Sequence, residues 1–123
     1  MWPVHGKPID PSAYSPVQIV EVLAEYDGPK TFTFADQNGQ LQLAHCCGTE
    51  EGRERYLVVQ VSNERLSALK ANEISIRGVI GRNCTVLEWA DLERVEAAWN
   101  VRTDDLPATA LPSEEVKLHS SVA

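Results

Sequence analysis

The residue types in this chain best suited to chemistry are a histidine and two cysteines in a row, His45, Cys46 and Cys47. On a β-strand, His45 and Cys47 point to the same side and Cys46 points to the other. A Cys–His pair needs its two side chains within hydrogen-bond reach, whereas same-side neighbours on a strand lie about 7 Å apart. The spacing therefore argues against a catalytic Cys–His pair.

The same triplet does not have the spacing of a metal site. Structural zinc sites usually draw ligand pairs from C-x₂₋₄-C or H-x₃₋₅-H patterns, and neither pattern occurs in the sequence. Further ligands would have to come from Cys84, His5 or His119, which are distant in sequence. We therefore expect no metal and no cofactor, and we interpret Cys47 and Cys84 as small buried residues.

Two carboxylates, Glu21 and Glu88, interrupt apolar segments. A buried carboxylate has a raised pKa and can act as a general acid or base. The alternative is a carboxylate that faces solvent or pairs with an arginine such as Arg77 or Arg82, and we favour this structural interpretation. No nucleophile elbow, phosphate-binding loop or dinucleotide fingerprint is present. We expect that the protein is not an enzyme.

Composition limits the partners that the chain can have. Its 123 residues fit one domain, and its net charge of −7 argues against a nucleic-acid backbone as partner, because phosphate contacts require a basic patch. The acidic surface either keeps the protein soluble or faces a basic partner. Three cysteines, two of them adjacent, indicate a reducing compartment. With no long apolar run, we expect a cytoplasmic protein with no membrane contact.

The elements that position these residues begin with a hairpin at residues 31–47. Thr31-Phe32-Thr33-Phe34 and Gln40-Leu41-Gln42-Leu43 each alternate polar and apolar residues, and Asn38-Gly39 between them favours a tight turn. This pattern predicts an antiparallel sheet with one buried face.

Other apolar segments predict strands at 17–26, 56–61, 84–89 and 95–101. The first is apolar on both sides, which is typical of a central strand. The last also fits a helical stripe; we choose the strand, with a turn at 91–94. We interpret the charged residues 48–55 as an exposed loop.

Two serines mark the helices. Ser62 is suited to be the N-cap of an amphipathic helix over 63–71, and Ser75 caps a second helical turn over 75–80. The predicted fold is α+β, a single domain with a twisted antiparallel sheet of five or six short strands. We expect a meander or partly open barrel, with the helices inserted after the fourth strand.

The domain is expected to span residues 17–112. Residues 1–16 contain four prolines and form an extended arm, and residues 113–123 form a flexible tail.

Several phrases of the sequence resemble a family of small uncharacterised bacterial domains. These segments are the Asp27-Gly28-Pro29 turn, residues 56–80, and a C-terminal segment that contains Asp105-Leu106-Pro107 and Leu111-Pro112. The resemblance extends over about residues 17–118 and implies no activity. The chain departs from the pattern at Asn72, where glycine is expected, and in its Cys46-Cys47 pair.

Our leading hypothesis is a non-catalytic, acidic protein-binding module, such as an inhibitor or immunity-type protein, in a bacterial or phage defence setting. Its partner is another protein, with a basic surface or a second copy paired through an edge strand. The candidate interface residues are Trp2, Tyr14, Glu50, Glu51, Trp89 and Trp99. The alternative is a small-ligand sensor with a pocket formed by Trp89, Trp99 and Tyr56.

Overall fold

The computed structural model describes residues 4–25, 29–50 and 52–111, and a single β-sheet forms its centre. The strands are β1 (Lys7–Ile9), β2 (Gln18–Glu25), β3 (Pro29–Ala35), β4 (Leu41–Glu50), β5 (Arg53–Gln60), β6 (Asn83–Asp91) and β7 (Arg94–Arg102). The helices are α1 (Asn63–Lys70) and α2 (Ile76–Ile80), with 3₁₀ turns at Pro11–Tyr14, Thr103–Asp105 and Ala108–Ala110. The predicted tail, 113–123, lies outside the described residues, as do Asp27 and Gly28.

The strand order is β1-β7-β6-β5-β4-β3-β2, and every pairing is antiparallel. The predicted antiparallel α+β sheet is confirmed, and β2 to β7 form a meander. The predicted number of strands was wrong, because the described residues form seven strands, and within them the sheet does not close into a barrel. The helices were predicted after the fourth strand, but they follow the fifth. The difference is β1, which was not predicted and precedes the other four.

The segment predicted as a central strand, β2, lies at one edge of the sheet. The apolar residues on its two sides suggested burial on both faces. However, its pairing with β3 is irregular, with register shifts near Val20 and Leu23. As a result Val20 is 60% exposed and Val22 is 41% exposed. Such bulges are a common way to make an edge strand a poor template for further pairing.

The two hairpins on either side of β4 differ from the sequence expectation. The β3–β4 connection is a loop over 36–40, in which only Gly39 has a positive φ, and the Asp36 carboxylate accepts from the amides of Asn38 and Gln40. The predicted charged loop at 48–55 was wrong, since β4 and β5 remain paired up to Glu50 and Arg53.

The connection over residues 10–17 joins opposite edges of the sheet and forces it to curl. A flat seven-stranded sheet is about 29 Å wide, and this connection, which contains the turn Pro11–Tyr14, spans roughly 25 Å when extended. The Val17 amide donates to the Leu92 carbonyl at 2.7 Å, and the Val95 amide donates to Ser15 Oγ at 2.8 Å. These bonds fix residues 10–17, which we call the strap, across the curled sheet.

The curl gives the sheet two unlike faces. The concave face carries the aromatic core, with Phe32 and Phe34 at 1% and 0% exposure, as their alternation predicts. Thr31 and Thr33, which point to the other side, are each 1% exposed, so the prediction of a sheet with one buried face was wrong. The opposite face, the helix face, carries Leu43, Leu57 and Val86, on which α1 and α2 pack with Leu66, Leu69, Ile76, Val79 and Ile80.

The helices begin where the sequence predicts. The Ser62 hydroxyl accepts from the Arg65 amide and the Ser75 hydroxyl accepts from the Gly78 amide. After α1, Asn72 has a φ of 60°, a left-handed conformation that glycine adopts more readily. In the described residues, neither α1 nor α2 has the length and apolar character needed to cross a membrane.

A matched pair of valine substitutions tests this division into core and edge. Val86→Ala removes a fully buried side chain and should lower the free energy of unfolding by about 2 kcal/mol. Val20→Ala removes the same atoms from an exposed position and should change the free energy of unfolding by less than about 0.5 kcal/mol. Urea denaturation measures both; equal losses would contradict the assignment of β2 to the edge.

Candidate functional site

An open cleft lies on the concave face, beyond the aromatic core. Its volume is about 680 Å³, which is within the roughly 300–1,000 Å³ typical of small-molecule sites. Its floor includes Val58 and five uncharged polar side chains from β4 to β7, which are Gln42, Gln60, Asn83, Thr85 and Asn100. We call these five polar residues the polar row.

The register of the strands places the polar row side by side. Gln42 is directly opposite Gln60, and Thr85 is directly opposite Asn100. Val58, two residues before Gln60, is opposite Thr85 and joins the two pairs. Because adjacent strands are about 4.8 Å apart, the row extends for roughly 14 Å. It is long enough to contact a ligand at several points.

The two glutamines present hydrogen-bond acceptors. Gln42 Nε2 donates to Asp36 Oδ2 at 3.0 Å, and Gln60 Nε2 donates to Gln40 Oε1 at 2.6 Å. Among the described residues, the carbonyl oxygens of Gln42 and Gln60 have no hydrogen-bond partner. Gln42 is only 7% exposed, so its orientation is fixed by packing as well as by the bond to Asp36.

The β6–β7 side of the row presents a donor. The Thr85 hydroxyl donates to Asn100 Oδ1 at 3.1 Å and so orients the Asn100 carboxamide. In the described part of the chain, Asn100 Nδ2 has no acceptor. The polar row thus combines free acceptors on β4 and β5 with a free donor on β7.

The N-terminal segment forms a wall of the cleft. A Cβ on Gly6 would lie 2.5 Å from the Asn100 carbonyl oxygen and from Val101 Cγ1, so glycine is what lets this segment lie so close to β7. Tyr14 of the strap also lines the cleft. Its ring packs edge-on against the ring of Phe34, with 6.5 Å between the ring centroids.

Most of the predicted interface residues are not at this cleft. Tyr14 is there, half-buried. Trp89 was wrongly predicted to be an interface residue, because it is 3% exposed in the core. Trp2 and Glu51 lie outside the described residues, as does the side chain of Glu50.

The predicted pocket of Trp89, Trp99 and Tyr56 does not form. Trp89 and Tyr56 stack at 4.3 Å between ring centroids and are both buried on the concave face. Trp99 is on the helix face, where the Arg55 guanidinium lies 5.8 Å from its ring centroid. Since the three aromatic residues occupy two faces of the sheet, they cannot line one cavity.

The thiols are poor candidates for nucleophiles. Burial raises the pKa of Cys47 to about 12 and that of Cys84 to about 11, so both remain protonated at neutral pH. The Cys47 thiol donates to the Arg55 carbonyl at 3.4 Å. Among the described residues, no three His, Cys, Asp or Glu side chains are grouped as a metal site requires.

The two carboxylates that interrupt apolar strands are both in ion pairs. Glu88 lies 2.7 Å from Arg55 Nε and 3.8 Å from Arg53, and Glu21 lies 2.5 Å from Lys70 Nζ. The structural interpretation of these residues is supported, although their partners are not Arg77 or Arg82.

Sequence reasoning missed the polar row, although a signal for it was present. Gln42 and Thr85 are each flanked by apolar residues, and so is Gln60. A comparison of same-side positions across all predicted strands would have grouped these residues on the face of the phenylalanines.

Comparison with known proteins yields one match. A family model described as a family of unknown function (DUF6575) matches residues 13–88, which is more than half of the chain. No curated protein and no solved structure matches the chain. The match agrees with the expected resemblance to an uncharacterised domain, and the Leu-Pro end of the chain lies beyond the matched residues.

The environment of His45 predicts a pH dependence of stability. Burial lowers the pKa of His45 below 6.5, and its Nδ1 is hydrogen-bonded to Thr31 Oγ1 at 2.8 Å. The unfolded chain therefore binds a proton near pH 6.5 that the folded chain does not, so stability falls as the pH decreases through this value. Urea denaturation between about pH 7.5 and about pH 5.5 should show a smaller decrease for His45→Gln than for the native protein.

The exposed His5 provides the control for this experiment. His5→Gln should keep the decrease of the native protein. Parallel pH profiles for the native protein and His45→Gln would contradict the burial of a neutral imidazole.

Proposed function

The chain belongs to DUF6575, a family of unknown function, and from the geometry of the cleft we propose that it is a non-catalytic module that binds a small molecule. The observation that supports this most is Gln42, a nearly buried side chain whose carbonyl oxygen has no partner among the described residues. This oxygen is accessible from the cleft, since among the described residues Thr33 Oγ1 is the buried side-chain atom without a hydrogen-bond partner. A ligand in the cleft would satisfy this oxygen together with the free groups of Gln60 and Asn100.

A binding role rather than catalysis fits the chemistry around the cleft. The polar row contains no group that exchanges a proton near neutral pH. The protonated thiols of Cys47 and Cys84, and the ion-paired Glu21 and Glu88, have no nucleophilic or acid–base role in this proposal.

Thermal unfolding in the presence of a library of small metabolites tests the proposal. A ligand at a hundred times its dissociation constant adds about 2.7 kcal/mol of stability. Thr85→Val removes the hydroxyl that orients Asn100 without changing the shape of the side chain, and it should weaken binding by roughly tenfold.

Thr49→Val is the matched control, because Thr49 is exposed on β4 and does not line the cleft. It should leave the affinity unchanged. If no library member stabilises the protein, or if both valine variants bind equally well, the cleft is not the binding site.

A second candidate function, association with a protein, is favoured by the exposed valines of β2. Val20 and Val22 are the exposed large apolar residues of the described chain, and they lie on an edge strand. We propose a second copy of the chain as the partner, which packs against these exposed apolar side chains rather than extending the sheet, because the bulges of β2 make it a poor template for strand pairing.

Sedimentation equilibrium at micromolar concentration tests this association. The native protein should form a dimer and Val20→Lys should be monomeric, because a charge cannot be buried in the new interface without a partner. Ser67→Lys adds the same charge to the exposed surface of α1 and should remain dimeric. A native protein that is monomeric throughout this range would refute association through β2.

A further inference from the structure

The charges around the cleft limit the class of ligand. The polar row has no ionised side chain, and the basic residues in the lining are His5 and Arg102, whose exposed guanidinium lies 3.9 Å from the carboxylate of Asp104. The lining also includes Asp105, and the chain as a whole carries a charge of −7. A phosphate or carboxylate placed over the polar row would lose its hydration without a cation in the row to compensate for the loss. The cleft is therefore matched to an uncharged ligand.

The hydrogen-bonding groups of the row limit the class further. The free oxygens of Gln42 and Gln60 can accept from donors on a ligand, and the free Nδ2 of Asn100 can donate to an acceptor. A hydroxyl group is both donor and acceptor. The two glutamines lie on adjacent strands about 4.8 Å apart, and Asn100 lies two strands beyond Gln60, roughly 10 Å away across β6. A single sugar unit therefore contacts part of the polar row, and a chain of sugar units with hydroxyl groups along one edge reaches all three groups.

The position of the aromatic residues separates sugars from nucleobases. A base bound by stacking needs exposed aromatic faces, but Phe32, Tyr56 and Trp89 are buried at 1%, 2% and 3% exposure. Tyr14 is the aromatic residue of the lining. One ring suffices for a sugar, whose C–H face packs on an aromatic surface while its hydroxyl groups point to the side.

We propose that the cleft binds a neutral carbohydrate, as a monosaccharide or as a short oligosaccharide. This inference rests on the proposed small-molecule function of the same cleft. The hydroxyl groups donate to Gln42 Oε1 and Gln60 Oε1 and accept from Asn100 Nδ2, and Tyr14 forms the apolar side of the site. The strap that carries Tyr14 thus contributes directly to recognition.

The test is an NMR titration that follows the side-chain amide signals of asparagine and glutamine. The probes are neutral mono-, di- and trisaccharides, glucose 6-phosphate, and the nucleosides adenosine and uridine. At least one neutral sugar should shift the signals of Gln42, Gln60 and Asn100 saturably. Glucose 6-phosphate should bind at least tenfold more weakly than glucose or not at all.

Asn100→Asp replaces the free donor by a carboxylate and should reduce sugar affinity by at least tenfold. Asn63→Asp is the matched control, because Asn63 is exposed at the start of α1 and the substitution adds the same charge. It should leave the affinity unchanged.

The outcomes separate the two proposals. If a nucleoside or glucose 6-phosphate shifts the cleft amides and no neutral sugar does, the carbohydrate assignment is overturned and the small-molecule function stands. If sugars shift only amides away from the polar row, the carbohydrate site is likewise refuted. If neither these probes nor the metabolite library binds, both proposals fail.

Discussion

The shape of the protein depends on the strap, residues 10–17, which connects the two outermost strands of the sheet. A chain of this length does not cross the width of a flat seven-stranded sheet, so the sheet must curl until its edges approach each other. The bonds from Val17 to Leu92 and from Val95 to Ser15 fix that curvature, and Gln37 attaches the same segment to the β3–β4 loop by donating to the Ser12 and Ser15 carbonyls.

The concave face has an apolar end and a polar end along the direction of the strands. At one end, Phe32, Tyr56 and Trp89 are packed in ring contacts that exclude water. At the other end the same face carries the polar row, which a dry core would not tolerate because each unpaired amide would cost free energy. The cleft keeps these groups accessible. The core that stabilises the sheet and the site that we propose for ligands are therefore two ends of one surface.

Local patterns predicted local structure well. The alternation at Thr31–Phe34 identified buried phenylalanines, and Ser62 and Ser75 identified two helix starts, because each depends on neighbouring residues alone. Strand β1 was missed since it has three residues, includes Pro8, and pairs with residues 98–100, far away in sequence. The β4–β5 hairpin was predicted as a loop because its sequence is highly charged. These charges are compatible with strands because partners on other strands neutralise them, as Glu88 does for Arg55. The cleft depends on the curl, which no local segment encodes.

Hydrogen exchange of the Val17 backbone amide, followed by NMR in the native protein, tests the curled sheet most directly. If the sheet is curled and the strap is bonded to the β6–β7 turn, this amide is protected to a degree similar to the amides of the central strand β5. If it exchanges as quickly as the amide of an exposed loop residue that makes no hydrogen bond, the strap is not bonded to the β6–β7 turn, and the concave cleft does not exist in the form described.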